Sequence, residues 1–122
     1  MKNLLFLLWV TVFCLCLRLD TAQAQELLES VEHGFVQNGD VRLHYVTVGQ
    51  GPLLVMLHGY PDFWYGWRYQ IEEFAQDFRV VVPDLRGYNR SDKPEGLEAY
   101  LTSQLVSDVA AVIRHFGEDQ TI

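Results

Sequence analysis

Between Val41 and Val48 side chains alternate, with Val41, Leu43, Tyr45 and Thr47 on one face and Arg42, His44, Val46 and Val48 on the other. That period of two is the mark of a strand. Asn38-Gly39 stands just before it and follows Phe35-Val36, the arrangement of a tight β-hairpin. Gly49-Gln50-Gly51-Pro52 closes the second strand. Leu53 to Leu57 is an unbroken apolar run bounded by Gly and Pro, which predicts a buried strand of a parallel sheet. Trp64, Trp67, Ile71, Phe74 and Phe78 then recur at steps of three and four, with Arg68, Glu72, Glu73 and Gln76 between them. This is the stripe of one amphipathic helix, with Asp62 placed to cap its start. Arg79 to Pro83 reads as the next buried strand. From about Thr102 a second helix turns Leu105, Val109, Val112 and Phe116 inward and stops at Gly117.

The predicted class is α/β, an antiparallel β-hairpin followed by β-α-β-α. Strand-helix-strand units imply a parallel sheet with right-handed crossovers, and the hairpin then lies at one edge. The amino terminus is of a different kind. Met1-Lys2-Asn3 supplies a short positive start, Leu4 to Leu17 an apolar core and Ala22-Gln23-Ala24 a small-x-small site. Residues 1–24 are therefore expected to be a secretory signal peptide cleaved after Ala24, which implies secretion or a periplasmic location. The apolar run is shorter than the ~20 residues of a spanning helix, and an uncleaved anchor over residues 4–17 is the alternative. Residues 25–32 form a lead-in with Leu27, Leu28 and Val31 at near-helical spacing, and residues 33–122 form the domain.

Both cysteines, Cys14 and Cys16, fall in the segment to be removed, so the mature chain has no disulfide. Cleavage also removes Lys2, Arg18 and Asp20, leaving 7 basic and 15 acidic residues and a net charge of −8. Such a surface argues against nucleic acid and against anionic membranes as partners. His33, His44 and His115 have no ligand spacing, and there is no His-x-His or helical Glu-x-x-His. No metal site is expected. Gly49-x-Gly51 precedes a strand and not a helix, the wrong context for a dinucleotide. No cofactor is expected.

Chemistry concentrates where the apolar run ends, in His58-Gly59-Tyr60-Pro61. A turn at the carboxyl end of a buried strand is where open α/β sheets hold ligands. Gly59 lets the backbone approach closely, and Pro61 offers no donor. The Tyr60 N–H is then free to face an oxyanion forming on a small-molecule substrate, which makes it half of an oxyanion hole. Trp64, nearest this turn, is the candidate for substrate contact, although a Trp at core spacing more often packs. Trp67 reads as packing. Asp84 ends a buried strand, a common place for catalysis in α/β sheets, and opens the loop Asp84-Leu85-Arg86-Gly87-Tyr88. Ser91 has no His beside it in sequence and is not expected to be a nucleophile.

HGYPDFWYGWRYQ followed by VVVPDLRGYNRSDKP resembles the amino-terminal half of an α/β-hydrolase. Within that fold it is most similar to soluble epoxide hydrolases, with the related haloacid dehalogenases close behind, and the likeness runs from about His33 to Ile122. The resemblance implies that His58 braces the turn and is not the catalytic base, and that Pro61 is cis and aims the Tyr60 amide inward. It also implies a nucleophile on a Gly-x-Asp-x-Gly or Gly-x-Ser-x-Gly elbow, with an acid and a His after it. No two glycines here stand four positions apart. The sheet is thus expected to be incomplete: it lacks the elbow, the lid and the later triad members, and residues 1–122 alone are expected to be inactive. An ester hydrolase fragment and a non-catalytic remnant are the other readings. Asp119 to Ile122 falls where the elbow strand begins. With that strand absent, Leu53 to Leu57 is expected to be an open apolar edge, prone to self-association.

Overall fold

The computed structural model describes residues 25, 26 and 28–122. The expected signal peptide at 1–24 and the alternative anchor at 4–17 lie outside the described residues. Gln25, Glu26 and Leu28 to Ser30 are helical, and Val31 to Ile122 forms a compact unit of its own. Among the described residues no helix is long and apolar enough to cross a membrane.

Strands β1 (Glu32–Asn38) and β2 (Val41–Val48) make the hairpin, turning through Gly39 at φ +60°. Strand β3 (Leu53–Val55) and strand β4 (Arg79–Pro83) complete a sheet of order β1-β2-β4-β3. β1 and β4 each pair with β2 antiparallel, whereas β3 and β4 run parallel. The hairpin lies at one edge, as its turn chemistry predicts. β1 starts at Glu32, within the stretch read as lead-in, because Glu32, His33 and Gly34 find partners in Thr47, Val46 and Tyr45. β3 is shorter than the apolar run. Met56 still donates to the Val81 carbonyl at 3.0 Å, but the chain then leaves the ladder and exposes Leu57.

The edge beyond β3 is not bare. The Ile122 N–H donates to the Leu53 carbonyl at 3.3 Å, and the Val55 N–H donates to the Ile122 carbonyl at 3.2 Å. The Thr121 hydroxyl adds a bond to Leu53 O at 2.8 Å. One residue bonded to the two flanking a neighbour is the parallel pattern. The last two residues thus occupy the edge that the sequence leaves open, since unpaired strand groups take whatever partner the chain brings.

Between β3 and β4 the single predicted helix is replaced by a 3₁₀ turn, Trp64–Trp67, and helix α1, Arg68–Phe74. A 3₁₀ turn advances three residues per revolution, so its side chains do not continue into an α-helical stripe. Of the five stripe residues only Trp64 and Ile71 are buried; Phe74 is 41% exposed, its ring against Phe78. Asp62 does not cap this element. Its carboxylate accepts from the adjacent Phe63 N–H at 2.9 Å and packs over Gly66.

A 3₁₀ turn at Leu97–Tyr100 leads into helix α2, Thr102–His115, which ends before Gly117 at φ +79°. Between the sheet and α2 lies a core of Val36, Leu43, Leu53, Val81, Ala111 and Val112, with Tyr45, Val55 and Phe116 at its margin. Burying each of the larger aliphatic side chains contributes about 1.5–3 kcal/mol. Strand alternation turns Val46, Val80 and Val82 to the other face, also buried, where α1 packs against β4.

Candidate active site

His58, Gly59, Tyr60 and Pro61 follow β3 after Met56 and Leu57, at the end of the apolar run. The Tyr60-Pro61 peptide is cis. Within the loop the Asp62 N–H donates to the Gly59 carbonyl at 2.9 Å, and among the described residues the Tyr60 N–H has no acceptor. Gly59, Tyr60, Pro61 and Asp62 line an open concavity of about 360 Å³. Tyr60 is 87% exposed, so its ring stands clear of the fold. The loop therefore presents an unsatisfied backbone donor at a cleft large enough for a small molecule.

His58 is buried and turned away from that concavity. Its Nε2 accepts the Leu85 N–H at 3.0 Å, and its Nδ1, which must then carry the proton, donates to the Gly59 carbonyl at 3.1 Å. The Tyr88 ring stands edge-on to it, with centroids 5.0 Å apart. Both ring nitrogens are thus engaged with backbone. Trp64 is 4% exposed, between His33 and Tyr65, and its ring does not line the concavity.

Asp84 takes the role at the helix start that the sequence assigns to Asp62. It is fully buried, and its Oδ1 accepts the Trp64 N–H at 3.1 Å from 20 residues away. Its Oδ2 accepts from His44 Nδ1 at 2.6 Å and from Asn89 Nδ2 at 2.8 Å. His44, also fully buried, contacts His33 Nδ1 through its Nε2 at 2.8 Å. The fold thus gathers His33, His44 and Asp84, which sequence spacing leaves scattered. One signal pointed there: His44 is a polar residue between buried positions of a strand whose two faces are both covered.

Ser91 is buried and fully engaged, donating to Asp84 O at 2.6 Å and accepting the His44 N–H at 2.8 Å. No lone hydroxyl is left there to act as a nucleophile. Asn89, at φ +39°, takes the left-handed turn for which its short amide is suited.

Burial pushes the Asp84 carboxyl up, but hydrogen bonds from His44, the Trp64 N–H and Asn89, with the His44 charge, together hold it below its ordinary value. Partial burial, then the His44 and Arg90 charges, lower His33. In both cases the unfolded chain takes up protons before the folded one, so acidification favours unfolding. Two losses are expected in thermal melts at constant ionic strength. A shallow one begins below pH 6.5 as exposed His33 titrates in the unfolded chain, and a steeper one begins below pH 3.8 from Asp84. Stability that rises as the pH falls from 6.5 to 5 would contradict this assignment.

A parallel strand that leads to a loop with an unsatisfied backbone donor, in a sheet with helices on both faces, is compatible with the opening of a hydrolase architecture. The family model of the α/β-hydrolase fold matches residues 52–122, and the chain belongs to that family. Epoxide hydrolase 1 of Caenorhabditis elegans is 44% identical over 98 residues, which cover 79% of this chain and 24% of that protein. The AB hydrolase superfamily protein YfhM of Bacillus subtilis is 42% identical over 98 residues, covering 78% of this chain and 34% of its own. An epoxide hydrolase structure from Vigna radiata superposes with a TM-score of 0.74 at 38% identity, over 77% of this chain and 31% of that one. The inhibitor complex of a Bacillus megaterium epoxide hydrolase gives 0.70 at 48% identity, over 72% and 31%. The chain therefore spans a quarter to a third of the length of the relatives it matches.

Proposed function

We propose that this chain supplies the oxyanion-hole half of an epoxide-hydrolase-like enzyme. The observation that carries the reading is the Tyr60 N–H, without an acceptor among the described residues, at the rim of an open concavity. The names of the relatives support the choice of substrate class. In the proposed reaction a carboxylate nucleophile on an elbow outside residues 1–122 attacks an epoxide carbon. The C–O bond breaks, the ring oxygen takes a proton from a general acid also outside residues 1–122, and an ester joins enzyme to substrate. That acid regains its proton from the His once the His has deprotonated the attacking water. A His-activated water then attacks the ester carbonyl, and the tetrahedral oxyanion forms against the Tyr60 N–H. Its collapse releases the diol and restores the carboxylate. Residues 1–122 alone hold neither nucleophile nor base for these steps, so by themselves they are expected to be inactive. Export through cleavage after Ala24 belongs to the same proposal, supported by the charge and apolar pattern of residues 1–24.

The test is to replace the Gly59-Tyr60 amide by an ester in the protein as its gene encodes it, using the hydroxy-acid analogue of tyrosine. That change removes one N–H and keeps the side chain. Hydration of a terminal epoxide is expected to lose about 10²–10³-fold in kcat, with KM nearly unmoved. An unaltered kcat would move the oxyanion site away from Tyr60. No diol from the unsubstituted protein would remove the epoxide reading itself.

A further inference from the structure

The Tyr60 loop is fastened at two points, and both lead to the same short segment. At its start His58 Nε2 accepts the Leu85 N–H at 3.0 Å. At its end the Trp64 N–H is held by Asp84 Oδ1 at 3.1 Å. Between these anchors Gly59 to Phe63 make one backbone bond within the loop, from Asp62 to Gly59. The direction of the Tyr60 N–H thus follows from where Asp84 and Leu85 stand. The Asp84 N–H donates to the His44 carbonyl at 2.9 Å, and the carboxylate accepts from the His44 ring. His44 holds Asp84 through both backbone and side chain, and Asp84 holds the loop.

The groups around His44 fix its ring in place. His44 Nδ1 lies 2.6 Å from the Asp84 carboxylate, which can only accept, so Nδ1 carries a proton and donates. His44 Nε2 lies 2.8 Å from His33 Nδ1, and Arg90 Nη1 lies 3.3 Å from that same His33 nitrogen. The charged or titratable groups against this ring are His33 from β1, with Arg90 behind it, and Asp84 from the end of β4. The Phe35 ring beside it, with centroids 5.3 Å apart, is apolar.

We propose that His44, held between His33 and Asp84, forms with Asp84 a buried hydrogen-bonded pair that positions the Tyr60 N–H for the proposed hydrolysis. His44 and Asp84 touch no substrate; they are positioning residues, and their catalytic effect rests on the reading given under the proposed function. The pair joins β2 to the end of β4, the two inner strands of the sheet, and Asp84 and its neighbour Leu85 carry the two anchors of the loop. A displaced anchor turns the N–H away from the oxygen it must meet without emptying the concavity, so kcat suffers before KM.

The test has two arms, both on the protein as its gene encodes it. Nitrogen-detected NMR of the His44 ring in the unsubstituted protein is expected to show a proton on Nδ1, hydrogen-bonded to the Asp84 carboxylate. An Nδ1 without a proton overturns the pairing. In the second arm, His44→Gln and the milder Asp84→Asn are compared. Asn retains an oxygen for the Trp64 N–H, so Asp84→Asn is expected to keep more activity than His44→Gln. His44→Gln is expected to lower kcat about 10- to 100-fold, to leave KM within about twofold, and to shift the Tyr60 amide resonance in the free protein. A folded His44→Gln protein with an unshifted Tyr60 amide and unchanged kcat overturns the positioning role. Should the unsubstituted protein open no epoxide, the functional reading falls, while the ring and amide resonances still decide this proposal.

Discussion

Asp84→Ala is expected to cost about 3–5 kcal/mol of stability, because it strips three donors of a buried acceptor at about 1–3 kcal/mol each. The substitution leaves His44, fully buried, with a ring N–H and no carboxylate, and it orphans the Trp64 N–H and the Asn89 amide. Each orphaned group meets its full desolvation penalty, because water does not reach Asp84. A urea midpoint measured beside the unsubstituted protein reads the effect. A loss under about 1 kcal/mol would mean that the network relaxes freely and that Asp84 is a spectator. Asp84→Asn keeps an acceptor and is expected to lose less.

Asp108→Ala carries the second large effect, in a different part of the fold. Asp108 is buried on α2 and takes a two-pronged contact from Arg86, through Nε at 2.5 Å and Nη2 at 2.6 Å. Asn38 at the hairpin turn adds a bond to Oδ1 at 2.7 Å, and Arg86 Nη1 reaches the Ala99 carbonyl at 2.6 Å. One carboxylate thus joins the hairpin, α2 and the loop after β4. The hydrogen bond from Arg86 to Asp108 raises the guanidinium above its ordinary value against the pull of burial, so the charge persists in the fold. Removing Asp108 leaves that charge buried and unpaired, at a cost of about 3–5 kcal/mol. The double substitution Arg86→Met with Asp108→Leu replaces the pair by apolar volume and is expected to recover most of the loss. Chemical unfolding of the two proteins decides it. A double variant as unstable as Asp108→Ala would show that bonds to Asn38 and Ala99, rather than the unpaired charge, dominate.

These two carboxylates mark the boundary of what the chain reveals before it folds. Asp84 is visible in sequence as a residue ending a buried strand. That it caps Trp64 is not visible, because the two are separated by α1 and β4. Asp62 stands at the right spacing for the cap and does not serve, since the chain enters a 3₁₀ turn instead of an α-helix. Asp108 lies on the apolar side of α2, where periodicity has no reason to place a charge. Its partner Arg86 comes from another element.

The period-based expectations fare best where one local rule acts alone. The Asn38-Gly39 hairpin, the alternation of β2, the apolar runs of β3 and β4 and the Gly117 stop all follow from backbone preference and patterning within a few residues. The α1 stripe fails at Phe74, which is exposed, because the pattern counts apolar residues and not the turn geometry that rotates them. The candidate turn is legible for the same local reason: an apolar run must end, and His58-Gly59-Tyr60-Pro61 is how it ends.

By itself, then, the sequence determined the four strands and the second helix, the order of the elements and the place of the turn that carries the Tyr60 N–H, but not the 3₁₀ start of the first helix. These depend on interactions between residues near one another along the chain. The tertiary structure alone decided which side chains hold that turn, pairing His44 with Asp84 and Asp84 with Trp64. It also placed Thr121 and Ile122 against the edge of β3. Those contacts join residues 20 to 69 positions apart, and their energy comes from desolvated polar groups that find partners only once the sheet has brought them together.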